Sequence, residues 1–394
     1  MKKTNIVQFL PYFPPHKWGL ENYAEQWWKW WVKKWYWEVF NIVTNFNQEE
    51  IFSKSEKIFF NSKEIWYKKD WVEILVVPSF EIINNFPVYK IWDKKFKLIK
   101  EYLKEKNIDV VITHTRFFLT SFVWWKFAKR NKIKWLHIEH GSDYVKLSSS
   151  LKNLISKIYD KTIWKRIFKS ANILIWISNA CKDFIQKEFV KRDVEVIYRW
   201  IEIDDKIAKD ENLKKQFPWK IIIWFVWRLY KWKNIESLIK AYYKLDEQIK
   251  EKIQLVIVWD GEDLERLKKL DIENKIYFTW WKSFEKALAL QKQFDIHFHT
   301  SSPGWGLATT LLQAMYFWCF IVATPYEWAK EVIENWKNWI LLKNDSVKEI
   351  KRWIIEWINN LYKKNEYAQI NKKIIQEKFN WDENIKKYYN LFNK

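Results

Sequence analysis

Short runs rich in Val, Ile and Phe alternate with helical patterns along almost the whole chain. No other feature limits the fold so strongly. Segments 5–10 (NIVQFL), 38–44 (EVFNIVT), 72–78 (VEILVVP), 109–114 (DVVITH), 134–140 (KWLHIEH) and 172–178 (NILIWIS) predict buried strands. Helical patterns at 20–34, 94–106 and 151–169 lie between several of them. After about residue 203 the alternation restarts, with strands expected at 220–227, 253–258, 275–279, 295–300, 319–324 and 339–342. Alternation of this kind implies parallel sheets with helices on both faces. Two such series imply an α/β chain with two doubly wound, Rossmann-like domains facing a central cleft. The expected boundaries are 1–203 for the first domain, 204–218 for a polar linker containing Pro218, and 219–365 for the second. Residues 366–394 read as Lys-faced helices that pack back on the first domain.

In open parallel sheets a ligand lies beyond the carboxyl ends of the strands. The loops there are therefore the candidate site. Loop 13–26 (FPPHKWGLENYAEQ) follows the first strand and opens a helix; alone it reads best as a plain strand–helix turn. Loop 227–233 (WRLYKWK) places Arg228 and Lys233 between a buried strand and a helix, where two cations could neutralise a diphosphate. Without further context, two solvated charges is the better reading of them. The stretch 301–315 (SSPGWGLATTLLQAM) has the rhythm of a phosphate-cradling turn opening a helix, with Gln313 two turns along. His140 ends a strand just before Gly141, so its ring could face the cleft; even odds go to a purely structural histidine. Glu139 is expected to point to the opposite side from His140 if both are still in strand. Asp260 and Gly261, in "VIVWDGEDLERL", read as a structural turn. No Walker loop, nucleophile elbow or metal-spaced cluster is present in the sequence.

Composition bears on those loops. The chain has 31 Trp and only 5 Gly. Average usage predicts about 28 glycines, so the excess of one residue nearly matches the deficit of the other. Trp305 sits between the two glycines of a turn that needs small residues. The codon UGA is stop in the standard code, Trp in one variant code and Gly in another. We therefore expect many of these tryptophans to stand where the native protein carries glycine.

The net charge is +21, yet only 8 of the 69 basic residues are Arg. Scarce Arg weighs against nucleic-acid recognition. A spread Lys excess fits a solvated surface, with one patch for anionic lipid. Cys181 and Cys319 make no disulfide framework. The basic start is followed by too short an apolar run for a signal peptide, and no stretch of 18 apolar residues occurs. A cytoplasmic protein, peripheral on the inner face of the membrane at most, is expected.

In this order, "PPHKWGLENYAEQ", "HIEHGSDYV", "ANILIWISNACKDF", "FVWRLYKWKNIESLI", "VIVWDGEDLERL" and "GWGLATTLLQAMYFWCFIVATPYEWAKEVIENWKNWILL" resemble the family 4 (group 1) glycosyltransferases of GT-B fold. The resemblance covers nearly the whole chain. Most of the odd tryptophans fall where that family carries glycine: Trp18, Trp200, Trp227, Trp232, Trp259, Trp305, Trp318, Trp328, Trp336 and Trp339.

The resemblance implies metal-independent, retaining transfer of a sugar from a UDP- or GDP-sugar to a glycan or lipid-linked acceptor, with no cofactor, in cell-surface glycan or glycolipid synthesis. It implies that Arg228 and Lys233 hold the donor diphosphate. Gly304, Trp305, Gly306, Leu307 and Ala308 would supply backbone N–H groups, and Trp18 and Gly19 would approach from the other domain. His140 would contact the transferred sugar, making His140, Arg228 and Lys233 the catalytic set. The family usually has two glutamates eight positions apart where this chain has Trp305 and Gln313; Gln313 can still accept a ribose hydroxyl. Lys17, Arg116, Ser142, Asp143 and Tyr144 are the candidate acceptor contacts. Two other readings stay open at this point: a non-catalytic GT-B protein that binds nucleotide or glycan, and an aromatic-rich binder of single-stranded nucleic acid.

Overall fold

The computed structural model describes residues 4–12, 19–35, 38–46, 56–69, 72–83, 86–145, 149–199, 213–226, 229, 233–258, 263–279, 284–300, 308–326, 329–334 and 337–393. They divide into two compact units, one of residues 1–177 and 181–197, the other of residues 178–180 and 198–394. The division thus falls at Ile197/Tyr198, ahead of the expected boundary at 203. The closing helices, expected to pack on the first domain, group with the second unit. Among the described residues no helix is long and apolar enough to cross a membrane.

The first unit is built on strands β1 (Asn5–Phe9), β2 (Glu38–Thr44), β3 (Glu56–Phe60), β4 (Lys63–Lys69), β5 (Val72–Val77), β6 (Ser79–Ile83), β7 (Phe86–Tyr89), β8 (Val110–His114), β9 (Lys134–Glu139) and β10 (Ile173–Trp176). Its main sheet runs β10-β9-β8-β1-β2-β5-β4-β3. The six strands from β10 to β5 are parallel, and β4 and β3 continue antiparallel at the edge. Every expected strand of this half is present. The pairs β3–β4 and β6–β7 were not expected. Asn61 and Ser62, both with positive φ, make the tight turn that joins β3 to β4.

Around this sheet lie helices α1 (Gly19–Trp35), α2 (Lys94–Glu105), α3 (Leu119–Arg130), α4 (Ser150–Tyr159), α5 (Lys165–Ser170) and α6 (Asn179–Glu188). Asp93 caps α2 by accepting from the Lys95 amide at 2.7 Å, and Phe96, Ile99 and Leu103 give it a buried stripe. The pattern expected as one helix over 151–169 is broken. A widened, π-type turn at Asp160–Trp164 separates α4 from α5 and turns Asp160 and Trp164 inward.

The second unit carries β11 (Ile221–Val226), β12 (Ile253–Val258), β13 (Tyr277–Thr279), β14 (Ile296–His299), β15 (Phe320–Ala323) and β16 (Ile340–Leu341). All six strands are parallel, in the order β13-β12-β11-β14-β15-β16. Its helices include α7 (Leu213–Gln216), α8 (Ile235–Tyr243), α9 (Glu247–Lys252), α10 (Leu264–Lys268), α11 (Phe284–Gln291), α12 (Thr309–Tyr316), α13 (Ala329–Val332), α14 (Val347–Asn360), α15 (Lys364–Lys378) and α16 (Trp381–Asn393). β12 is buried over its whole length, as a parallel strand covered on both faces must be.

Both sheets reverse their winding at one point, between β1 and β8 in the first and between β11 and β14 in the second. Chains leaving neighbouring strands there diverge to opposite faces and open a crevice at the carboxyl ends.

Candidate active site

In the first unit the β1/β8 reversal collects a chain of polar side chains. The Gln8 amide nitrogen lies 2.7 Å from Nε2 of His114, whose Nδ1 lies 3.2 Å from Nε2 of His140. With Gln8 donating, a neutral His114 carries its proton on Nδ1 and turns it toward Nε2 of His140. Tyr23 of α1 stands edge-on to the His140 ring, 5.3 Å between centroids. Burial, and then the nearby His137, lower the His114 pKa to about 3, so it stays neutral in this role. In the sequence His114 reads only as the end of a strand. Its signal was its place as the last residue of β8, beside the reversal.

Glu139 anchors the loop that carries His140. The strand ends at Glu139, so His140 has already left the ladder. The expected opposition of the two side chains does not apply. Instead the fully buried Glu139 carboxylate accepts from the backbone amides of Arg116 (3.1 Å), His140 (3.0 Å) and Gly141 (2.8 Å). Burial works to raise its pKa, but the Arg116 charge and the His137 hydrogen bond outweigh it and bring it to about 2. Gly141 has no room for a side chain: a Cβ would lie 2.7 Å from the Phe117 ring and 2.9 Å from Arg116 Nη1.

Arg116 is not where an acceptor contact should be. It is fully buried. Its guanidinium pairs with Glu139 (3.2 Å) and Asp160 (3.1 Å), and donates to the carbonyl oxygens of Asp143 (2.5 Å) and Gly141 (3.5 Å). Two carboxylates and two carbonyls outbid solvent for a cation that would be costly to bury alone. Arg116 is therefore a positioning residue for the loop 140–143. Asp160 is the less favoured of the two acids: its burial, only partly offset by Arg116, raises its pKa to about 6. Thr115, beside Arg116, has φ of 50°, rare for a β-branched residue, and its hydroxyl donates to Glu139. Of the other acceptor candidates, Ser142 is buried and the Asp143 carboxylate accepts from the Tyr144 amide at 2.7 Å. Lys17 lies outside the described residues.

In the second unit Lys233 is buried just beyond the end of β11. The Thr300 hydroxyl, at the end of β14, donates to the Lys233 carbonyl at 2.7 Å and ties the two loops of the reversal together. Burial lowers the Lys233 pKa to about 7. His299, the last residue of β14, is buried nearby; burial and the Lys233 charge push its pKa well down. Asn234, with φ of 51°, donates to the Asp345 carboxylate at 3.0 Å and starts α8. Ala308 precedes α12, whose first turn has no side-chain cap. Gln313 does not reach outward for a ribose. It is buried, and its amide oxygen accepts from Gln291 of α11 at 3.3 Å. Gly19 begins α1. Trp18, Arg228, Gly304, Trp305, Gly306 and Leu307 lie outside the described residues. No group of three His, Cys, Asp or Glu that could hold a metal ion occurs among the described residues.

The family model "Glycosyltransferase Family 4" matches residues 19–205, and "Glycosyl transferases group 1" matches residues 207–376. An uncharacterized glycosyltransferase of Methanocaldococcus jannaschii, MJ1069, is 41% identical over 100% of this chain and 99% of its own length. The chain is a group 1 glycosyltransferase. Among solved structures, sucrose-phosphate synthase of Thermosynechococcus elongatus has a TM-score of 0.77 at 14% identity, covering 99% of this chain and 98% of that one. Anabaena HepE, solved with UDP and glucose, has a TM-score of 0.73 at 16% identity, covering 99% of each chain. The catalytic domain of Arabidopsis thaliana starch synthase IV, bound to ADP and acarbose, has a TM-score of 0.69 at 12% identity, covering 100% of this chain and 99% of that one. These likenesses establish the GT-B fold for this glycosyltransferase.

Proposed function

We propose that this glycosyltransferase moves a sugar from a UDP- or GDP-sugar to a glycan or lipid-linked acceptor of the cell surface, retaining the anomeric configuration and using no metal. It works at the inner face of the membrane, in peripheral contact with anionic lipid. The observation that carries this reading is Lys233, a lysine buried at the winding reversal of the second sheet. A diphosphate arriving there would restore its full charge, and the charge would then stabilise the leaving group without rearrangement. Arg228 and the amides of 304–308 share that task. His140, its Nε2 facing His114 and its loop fixed by Glu139, contacts the transferred sugar.

The tryptophans belong to the same reading. Of the ten at family glycine positions, Trp318 and Trp339 are the ones that fall among the described residues. Trp318 has φ of 63°, a backbone that glycine adopts freely and tryptophan does not. Trp339 is fully buried with its indole N–H unbonded, where a buried Trp usually finds a partner. Trp318 is thus a tryptophan on a backbone that favours glycine. The native protein carries glycine at these UGA-encoded positions, and the Trp-bearing product binds no donor.

The test has two parts. Peptide masses from the native host should show glycine at 227, 232 and 305. Protein carrying glycine there should bind UDP in calorimetry, while the Trp-bearing chain should not. Tryptophan in the native peptides, or equal UDP binding by both chains, sinks the proposal.

A further inference from the structure

Helix α4 wears its amphipathicity inside out. Leu151, Leu154, Ile155 and Ile158 follow i, i+3, i+4, i+7 spacing and form one stripe. That stripe faces outward, with the four side chains 66%, 55%, 58% and 53% exposed. Asn153 and Ser156 occupy the opposite side and Tyr159 the edge of the stripe, all three half-buried, and no residue of the helix is fully buried. A helix lying on a water-soluble body has the reverse arrangement. Four neighbouring aliphatic side chains are more than the single exposed apolar residues a surface tolerates without purpose.

The charges around the stripe choose its partner. On a helical projection Lys152 and Lys157 flank it on either side. Lys165, Arg166 and Lys169 follow, all exposed; Lys161, exposed as well, pairs with Glu188 at 3.6 Å. From 149 to 170 the acidic residue is Asp160, and it is turned inward onto Arg116. In a symmetric pair of copies this patch would meet itself, cation against cation. A surface bearing anionic lipid headgroups takes both features at once. The aliphatic stripe enters the acyl boundary, and the long Lys stems reach up to the headgroups.

We infer that α4, with the cations of 152–169, is the face by which this protein docks on an anionic lipid bilayer. The inference sharpens the peripheral contact proposed above but uses no property of the transfer reaction. Failure of sugar transfer would leave it standing.

The experiment is co-sedimentation of the full chain with vesicles of phosphatidylcholine alone and of phosphatidylcholine mixed with phosphatidylglycerol. The chain should pellet with the mixed vesicles, weakly or not at all with phosphatidylcholine, and less as salt rises. The double variant Leu154→Ser/Ile155→Ser should bind the mixed vesicles at least about tenfold more weakly. Both positions are exposed, so its circular dichroism and thermal unfolding should match the parent. A second variant, Lys152→Glu/Lys165→Glu, should lose the preference for phosphatidylglycerol with the stripe intact. Failure of the parent chain to pellet, or equal pelleting by the stripe variant, overturns the inference. So does a parent dimer that the stripe variant splits, since the occupant would then be a second copy.

Discussion

Trp318 closes α12 in a conformation that tryptophan rarely takes. Its own amide donates to the Met315 carbonyl, and the next amide, of Cys319, donates to the Ala314 carbonyl. This is the helix ending that glycine favours, with φ of 63° at the critical residue. Left-handed backbone costs a residue with a Cβ roughly 1–2 kcal/mol, and glycine gives some of that back as chain entropy. Trp318→Gly should therefore raise the unfolding free energy by about 1 kcal/mol, read by urea titration. Trp219 repeats the pattern where the sequence suggested only a linker's edge. It follows Pro218 in a turn closed by the Lys220 amide on the Phe217 carbonyl, has φ of 66°, and is wholly exposed. Such a turn asks for Pro then Gly. Lys233 sets a second expectation. With its pKa lowered to about 7 by burial, it is cationic below that value and loses its proton above it. A bound diphosphate holds the proton on, so UDP affinity of the glycine-bearing protein should fall as pH rises through 7 to 9. A pH-independent affinity would remove Lys233 from the donor site. The sequence places His140 and Lys233 in the loops that follow β9 and β11, and the structure has them there. Candidate positions were misread where burial decides. Nothing in "THTRFF" says that Arg116 points inward, because its partners Glu139 and Asp160 lie 23 and 44 residues away in the chain.

At the scale of elements, parallel strands announce themselves. Buried on both faces, they read as unbroken apolar runs, and all twelve expected runs are strands. The β3–β4 pair was silent because its residues alternate with Lys and Glu, and its turn uses Asn-Ser in place of the familiar Asn-Gly. The widened turn between α4 and α5 was silent as well, since a single helical pattern spans both. That turn delivers Asp160 to Arg116, and it carries a pH signature. Glu139, at about 2 in the fold against 4.5 for the free group, stabilises the protein at and above pH 4.5, and that contribution is lost as pH falls toward 2. Asp160 has the opposite sign. At about 6 against 3.8, it penalises the folded state above pH 6, and the penalty lifts as pH falls toward 4. The first unit should thus gain stability from pH 7 to about 4.5 and lose it below. Asp160→Asn should flatten the upper limb in denaturant titrations across pH and leave the acid limb in place.

The whole molecule is two units with separate cores and separate reversals of winding. In scanning calorimetry the glycine-bearing protein should show two transitions. UDP should raise the one belonging to residues 198–394, by about 2.7 kcal/mol at a hundredfold excess over Kd. If UDP instead raised the other transition alone, the donor site would belong to the first unit. Within that first unit one short stretch sets the phase of a mechanical linkage. The residues of 160–164 act as a spacer between two gears, with the aliphatic teeth of 151–158 on one side and the buried teeth Ile167 and Phe168 on the other. Removing one residue there would turn the upstream gear by about 100° against the downstream one. The chain would keep every apolar side chain it has and aim four of them in a new direction.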